Sequence, residues 1–209
     1  MKHISKILLA ILLLCALTSS AQTPVKDMKS FQAGLTQANN KVQNISSDFV
    51  QVKELKLLAE KVKSNGKFYF QKDDKVRIEY KQPFFYLLVM NGTRMLVKDE
   101  QGSNKINTRN SKMMRSVNQV MVDCMQGTVF DNPDFDVMAY TDAKGYLLVM
   151  KPVTSSMKQL FEEVRISMDK TDYNVKQLTL VENGGDNTIM TFNNIRHNTQ
   201  LNETLFNVK

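Results

Sequence analysis

Hydrophobic and polar residues alternate along most of the chain that follows Ile45. The clearest example is Lys75–Lys81, where Val76, Ile78 and Tyr80 fall on one face and charged side chains fall on the other. A period of two is typical of a strand with one buried face and one solvated face. The same alternation recurs at Phe68 and Phe70, at Phe135, Val137 and Ala139, at Val164, Ile166 and Met168, and at Met190 and Phe192. The pattern therefore predicts a mainly β protein.

Turn-forming residues separate these stretches. They are Asn65-Gly66, Asp73-Asp74, Asn91-Gly92, Asp142–Gly145 and Gly184-Gly185. Asn, Asp and Gly favour tight turns because they tolerate backbone conformations that other residues avoid. Short strands joined by tight turns predict an antiparallel meander. Since no linker rich in Pro, Gly or Ser interrupts the chain, residues 22–209 are expected to form one domain.

Two segments instead repeat hydrophobic residues at helical spacing. The first opens with Thr23 as a candidate N-cap and Pro24 at the first helical position, and its apolar stripe runs to Val42. The second is Ser111–Gly127, whose apolar stripe consists of Met113, Met114, Val117, Val120, Met121, Cys124 and Met125. Unbranched methionine side chains can repack around neighbours of varying shape. Periodicity alone leaves open whether this helix packs permanently on the sheet or forms a movable cover over an apolar cavity.

The first 21 residues have a different character. Lys2, His3 and Lys6 precede an apolar run from Ile7 to Leu17, and small residues follow up to Ala21. This run is shorter than the roughly 20 residues that span a bilayer, and the order of segments is that of a secretory signal peptide. We therefore expect residues 1–21 to be cleaved after about Ala21 and the mature protein to be exported.

Composition narrows the possible chemistry. The net charge of +7 is spread along the chain without a basic stripe, so nucleic acid is not expected as a partner. Cys124 and His197 are the only Cys and His after residue 21, which leaves no donor set for a metal and no pair for a disulfide. The nucleophile elbow, the glycine-rich phosphate loop and the zinc-binding His-Glu-x-x-His motif are all missing from the sequence. The sequence thus predicts a protein that is not an enzyme and needs no cofactor.

Several short motifs carry a family resemblance. Asp48–Gln51, Gly66–Lys72, Val76–Pro83 and Asn91-Gly92 resemble, in order and spacing, successive strands of the periplasmic outer-membrane lipoprotein carrier family, which is LolA-like. Thr191–Ile195, followed by Asn198 and Leu205-Phe206, resembles the closing strand and tail of that family. The resemblance implies a mainly β (α+β) fold: a curved, antiparallel, unclosed half-barrel covered by an N-terminal helix and a Met-rich lid helix, with a hollow that takes lipid.

The resemblance, together with the alternation, also assigns candidate residues. The expected cavity lining is Phe49, Phe68, Phe70, Val76, Ile78, Tyr80, Met95 and Val97, and the expected lid residues are Lys72, Met113, Met114, Val117, Met121 and Met125. Family members commonly have Arg-Pro where this chain has Lys72-Asp73. Because lysine lacks the planar fork of arginine, Lys72 is either a weaker latch for the lid or a solvated lysine beside a turn. Ile78 stands where the family often has an aromatic residue, which leaves the shape of the cavity open.

The implied function is carriage of lipid-modified proteins. The expected partners are acylated lipoproteins or another envelope lipid, an inner-membrane ABC-type lipoprotein-releasing complex and an outer-membrane acceptor, with the carrier itself a monomer. Exposure of an acyl chain to water costs roughly 0.8 kcal/mol of free energy per methylene, so the chain needs a cover while it crosses the periplasm. The alternative is a periplasmic regulatory protein of the same fold that senses lipid or lipoprotein.

Overall fold

The computed structural model describes residues 22–72, 74–108, 119, 120 and 122–208. The described strands are β1 (Thr23–Pro24), β2 (Asn44–Leu55), β3 (Glu60–Gln71), β4 (Lys75–Gln82), β5 (Tyr86–Asn91), β6 (Arg94–Asp99), β7 (Ser103–Asn107), β8 (Phe135–Thr141), β9 (Gly145–Pro152), β10 (Phe161–Asp169), β11 (Val175–Glu182) and β12 (Asn187–His197). The main helix is α1 (Met28–Asn40). Residues 119, 120 and 122–126 are also helical, and shorter helical turns lie at Val129–Asp131, Ser155–Lys158 and Glu203–Phe206.

The strands form one antiparallel sheet. Its order is β1-β8-β9-β10-β11-β12-β2-β3-β4-β5-β6-β7. Within the described residues β1 and β7 are the two edges, and they do not pair with each other, so the sheet is an open half-barrel. This confirms the predicted fold class. Most neighbours in the sheet are also neighbours in sequence, as expected for strands joined by tight turns.

The strands and most turns follow the sequence pattern. The predicted turns at Asn91-Gly92, Asp142–Gly145 and Gly184-Gly185 join β5 to β6, β8 to β9 and β11 to β12. Gly92, with φ of 56°, takes the left-handed conformation that a two-residue hairpin turn needs. Asp74 lies between β3 and β4 with φ of 61°, whereas Asp73 lies outside the described residues.

The prediction of a turn at Asn65-Gly66 is wrong, because both residues lie inside β3. The pairing of β3 with β4 shifts at this point, where Asn65 lies opposite Gln82 and Gly66 lies opposite Tyr80. A Cβ on Gly66 would come within 2.0 Å of the carbonyl oxygen of Glu79. Glycine is therefore needed here because two strands approach closely at a bulge. The sequence Asn-Gly is compatible with either a bulge or a turn, so it does not by itself predict which one forms.

The predicted start of the first helix is also wrong. Thr23 and Pro24 form β1, which pairs with Tyr140 and Thr141 of β8. Helix α1 starts four residues later than Pro24, and the side chain of Asp27 caps it by accepting a hydrogen bond from the backbone N–H of Ser30 at 3.0 Å. The helix ends at Asn40, so Val42 lies beyond it.

Two apolar clusters form on the two faces of the sheet. The concave core packs between the inner face of the sheet, α1 and residues 122–126, and its largest members include Phe31, Leu35, Phe49, Phe68, Phe70, Leu148, Ile166 and Phe192. The tail core lies on the outer face of β5, where Leu87 and Val89 pack against Phe206 and Val208 of the C-terminal tail. Successive β5 residues thus serve opposite faces, as the strand period of two requires.

Candidate functional site

The eight residues that the sequence assigns to a cavity lie on one face of the sheet. Phe70 pairs with Val76, and Phe68 pairs with Ile78, across β3 and β4. Tyr80 and Val97 are half-buried against the concave core. The other six are buried within it; they are Phe49, Phe68, Phe70, Val76, Ile78 and Met95. The structure therefore brings all eight together, and their role as ligand contacts stays a prediction.

The residues of opposite parity on β4 face outward. Arg77 and Glu79 form an ion pair, with 2.6 Å between Nη2 and Oε2, beneath the C-terminal tail. The Nη1 group of Arg77 also donates a hydrogen bond to the carbonyl oxygen of Leu205 at 3.1 Å. The alternation in Lys75–Lys81 thus separates an apolar inner face from a charged outer face.

Two helical elements cover the concave face. Helix α1 contributes Phe31 and Leu35, and the ring of Phe31 contacts that of Tyr146 with 4.6 Å between their centroids. The described part of the second helix contributes buried Val122, Cys124 and Met125. The other lid residues assigned from the sequence, Met113, Met114, Val117 and Met121, lie outside the described residues. Gly127 ends this helix with φ of 73°, as the sequence predicts.

A buried carboxylate organises the end of this second cover. Asp123 accepts hydrogen bonds from Gln119 at 2.7 Å, from the hydroxyl of Thr128 at 3.0 Å and from the amide of Asn132 at 2.5 Å. Buried polar groups need such partners because an unpaired one is costly. Sequence reasoning missed this cluster; the local signal for it is an acid directly before Cys124 in an otherwise apolar segment. The bonds tie Gln119, Thr128 and Asn132 to the carboxylate of Asp123.

The space between the covers and the sheet is small. Its lining includes Ile45, Ser47, Phe68, Met125 and Phe192, and its volume is about 20 Å³. That is room for one water molecule. This space is too small for a hydrocarbon chain.

Ser47 is a polar residue within this apolar lining. It is buried, and its Oγ has no hydrogen-bond partner within the described part of the chain. Ser47 lies opposite Phe68 across β2 and β3, so it belongs to the concave face. Sequence reasoning did not single it out, although its parity with Ile45 and Phe49 places it there.

Two tyrosines lie at the rim of the concave core. The hydroxyl of Tyr80 donates to Oε1 of Gln51 at 2.8 Å, and its ring contacts that of Tyr86 with 5.7 Å between centroids. Burial raises the pKa of Tyr80 to about 12, so the phenol stays neutral at physiological pH. The rim therefore presents apolar rings and neutral polar groups.

Lys72 lies at the end of α1. Its Nζ donates a hydrogen bond to the carbonyl oxygen of Asn40 at 3.0 Å, and its backbone N–H bonds the carbonyl of Gln43 at 2.9 Å. A cation at a helix C-terminus is favourable because the last carbonyls carry partial negative charge. In the described residues Lys72 thus contacts α1, while its role as a lid latch stays a prediction.

Reactive groups are scarce in the described residues. Burial raises the pKa of the Cys124 thiol, and the nearby carboxylate of Asp123 raises it further, which disfavours the nucleophilic thiolate. The described part of the chain contains no group of three His, Cys, Asp or Glu side chains that could hold a metal ion. What the concave face presents is apolar surface.

None of the described helices combines the length and hydrophobicity that crossing a membrane requires.

Several solved structures match this chain at low sequence identity. An uncharacterized conserved protein from Thermus thermophilus is 9% identical with a TM-score of 0.50, covering 86% of this chain and 93% of its own. A putative outer membrane lipoprotein-sorting protein domain from Vibrio parahaemolyticus is 12% identical with a TM-score of 0.45, and the match covers 85% of this chain and 95% of that domain. The MucA/MucB complex of Pseudomonas aeruginosa contains a chain that is 10% identical with a TM-score of 0.46, and the match covers 86% of this chain and 60% of that one.

Sequence comparison gives the family. Among curated proteins no sequence matches this chain. The family model described as "Outer membrane lipoprotein carrier protein LolA" matches residues 40–209, which include β2 to β12 and thus nearly all of the half-barrel. The chain therefore belongs to the LolA family of outer membrane lipoprotein carrier proteins.

Proposed function

We propose that this protein is a periplasmic carrier that binds the acyl chains of lipoproteins between the concave face and its helical covers. It receives them from an inner-membrane ABC-type releasing complex and delivers them to an outer-membrane acceptor. The observation that carries the proposal is the concave face itself, on which Phe49, Phe68 and Phe192 form one apolar surface under separate covers. Membership of the LolA family supports the same function.

The free energy of carriage favours this kind of site. Each methylene kept out of water contributes about 0.8 kcal/mol, so an acyl chain gains most from a continuous apolar surface. Release requires that few directional bonds hold the chain, and the concave face supplies mainly hydrocarbon and aromatic side chains. Loading exchanges contacts between cover and sheet for contacts with acyl chains. The net free energy can then stay small enough for transfer in either direction.

The first experiment identifies the cargo. The protein is purified from its own periplasm without detergent, and the bound molecules are identified by mass spectrometry. Recovery of acylated lipoprotein supports the proposal. Recovery of a different lipid would identify that lipid as the cargo. Acyl carriage would be contradicted if the protein is recovered without lipid and also fails to bind a triacylated lipopeptide in vitro.

The second experiment compares neighbouring residues on opposite faces. Val97 is half-buried against the concave core, and Leu96 is half-buried against the tail core. Val97→Glu places a carboxylate where acyl chains would bind, so the affinity for a triacylated lipopeptide should fall by at least about tenfold. Leu96→Glu is the control for loss of stability and should leave that affinity within about twofold. Equal effects of the two variants would contradict binding on the concave face.

Transfer distinguishes a carrier from a sensor. A carrier loaded with lipopeptide should release it to acceptor vesicles or to an outer-membrane acceptor. A lipid-sensing regulator would bind the lipopeptide and retain it. Retention in the presence of acceptor membranes would therefore favour the regulatory alternative.

A further inference from the structure

The large hydrophobic side chains that are exposed in the described residues all lie at one end of the half-barrel. They are Leu57, Leu58, Val62, Phe84, Tyr86 and Val153. Because the sheet is antiparallel, its ends alternate along the chain, and the β2–β3 turn, the β4–β5 turn and the residue after β9 share one end. Several segments far apart in sequence therefore build a common apolar end, defined here by residues 56–62, 83–86 and 153.

The other end of the sheet carries none of these exposed hydrophobic side chains, whereas the apolar end also includes the polar β6–β7 and β11–β12 turns. The turns at this other end contain Asn91-Gly92, Asp142–Lys144 and Asp169–Asn174, and Asp142 and Asp169 use their carboxylates to bond the turn backbone. Single exposed apolar residues are normal on a protein surface, whereas a set confined to one end indicates a binding surface.

The β2–β3 hairpin extends past the end of β4, while on its other side β12 accompanies β2 as far as Asn187 opposite Glu54. The ladder between these strands continues to Leu55 opposite Glu60, but the pairing of β3 with β4 stops at Asn65 opposite Gln82. Residues 60–64 thus run on past the end of β4 by roughly 17 Å, at about 3.3 Å per residue. The exposed fraction is 94% for Leu57 and 64% for Leu58, so the tip presents two leucines to solvent.

The hairpin is also basic. Residues 53–63 contain Lys53, Lys56, Lys61 and Lys63 against two glutamates. Lys53 and Lys61 pair with Glu182 and Glu54, while Lys56 and Lys63 form no ion pair within the described part of the chain. In the described residues the hairpin therefore carries two exposed leucines and two lysines that have no ion-pair partner.

We propose that the apolar end docks on an anionic bilayer surface, with Leu57 and Leu58 inserted at the boundary between headgroups and acyl chains. Lysine stems lie along apolar surface while their ammonium groups contact lipid phosphates. Apolar insertion combined with attraction to anionic lipid is how peripheral proteins bind membranes reversibly. Two exposed leucines at one turn are a small surface that suits insertion, whereas a stable protein interface needs about 800 Å² of matching surface on each partner.

The position of the rim tyrosines fits this orientation. Tyr86 belongs to the apolar end, and its ring contacts Tyr80 at the rim of the concave core. A docked protein would therefore hold that rim close to the bilayer. That this orientation assists lipid transfer rests on the proposed carriage function. Docking on a bilayer does not depend on that function.

Vesicle binding tests docking without lipoprotein cargo. The periplasmic form of the protein is mixed with vesicles of phosphatidylethanolamine and phosphatidylglycerol, and bound protein is measured by flotation. Leu57→Ser combined with Leu58→Ser should lower the partition coefficient by at least about tenfold, and Lys56→Gln combined with Lys63→Gln should remove most of the preference for phosphatidylglycerol. Circular dichroism checks that each variant is folded, which is expected because all four side chains lie on the hairpin surface.

A tryptophan reporter locates the contact. Because the chain contains no Trp, Leu57→Trp supplies a single fluorophore at the tip. Its emission should shift to shorter wavelength with anionic vesicles and should be quenched by brominated acyl chains. Ala143→Trp, at an exposed turn position of the polar end, is the matched control and should show neither effect.

Three results would overturn the proposal. They are an unchanged Leu57→Trp emission with vesicles, an equal shift for Ala143→Trp, and flotation of the double leucine variant at the wild-type level. A shift of Leu57→Trp emission that depends on protein concentration without vesicles would assign the tip to a second copy of the chain instead. Since the assay contains no lipoprotein, failure of docking and failure of acyl carriage are separate outcomes.

Discussion

The two faces of the sheet are covered in different ways. On the concave face the second cover, whose described part is residues 119, 120 and 122–132, contacts the sheet through apolar residues such as Val122 and Met125. The hydrogen bonds of Asp123 stay within this cover. On the outer face the C-terminal tail is bonded to the sheet. Arg77 donates to the carbonyl of Leu205, and Asn91 donates to the carbonyl of Phe206, both at 3.1 Å.

The contacts of the second cover with the sheet are therefore easier to exchange than those of the C-terminal tail. Apolar contacts are non-directional, so in the proposed carriage the contacts of a cover with the concave face can be replaced by contacts with acyl chains. Removal of the tail would leave a half-buried guanidinium and a half-buried amide without their partners, which costs free energy that hydrocarbon cannot restore. The proposed carriage therefore uses the concave core, while the tail core keeps β4, β5 and the C-terminus together.

The largest effect is expected for Phe68→Ala. Phe68 is fully buried at the centre of the concave core, and its ring contacts that of Phe192 with 5.3 Å between centroids. The free energy of unfolding should fall by about 3–5 kcal/mol, because a large cavity remains. Urea denaturation measures the loss. A decrease below about 1 kcal/mol would mean that the concave face is loosely packed.

A smaller effect is expected for Phe206→Ala in the tail core. The free energy of unfolding should fall by about 2–3 kcal/mol. The loss is limited because, once the tail detaches locally from the sheet, further weakening of its contacts no longer destabilises the rest of the protein. Hydrogen exchange should quicken at the tail and at the outer face of β5, with the amides of β10 unaffected. Uniform loss of protection over the sheet would contradict the separation of the two cores.

Arg77→Met tests the bonds that hold the tail. Arg77 and Glu79 side chains are 17% and 23% exposed, and we expect a loss of about 1.5–2 kcal/mol because Glu79 and the Leu205 carbonyl both lose a charged partner. Arg165→Met is the matched control, since Arg165 pairs with Glu163 two residues away on a strand and is 51% exposed. That control should cost less than about 1 kcal/mol. Equal losses would show that the tail gains nothing from Arg77.

The smallest effect is expected for Lys72→Leu. Loss of the hydrogen bond from Nζ to the Asn40 carbonyl should lower the free energy of unfolding by about 0.3–1 kcal/mol, the usual value for a cation at a helix C-terminus. If Lys72 holds α1 closed over the concave core, loading and release of a triacylated lipopeptide should become faster. Unchanged rates in stopped-flow fluorescence would identify Lys72 as a solvated lysine that stabilises only the helix end.

Local patterns predicted much of the candidate site. Val76 and Ile78 point to the concave core and Arg77 points away, because alternate side chains of a strand must face opposite sides. Short motifs such as Gly66–Lys72 and Val76–Pro83 also predicted the family, whose model matches residues 40–209. The hydrogen bond from Arg77 to Leu205 was not predictable, because no local pattern relates residues that are 128 positions apart.

The sequence by itself determined the strand period, most of the turns and which side chains are apolar, because these properties depend on residues that are neighbours in the chain. Only the tertiary structure decided that Thr23 and Pro24 form an edge strand against β8 and that Gly66 lies in a bulge. It also decided that Leu57 and Phe84 lie at the same end of the half-barrel. Each of these depends on which strands pair and where their register shifts, and that is fixed by contacts between segments that the chain itself keeps far apart.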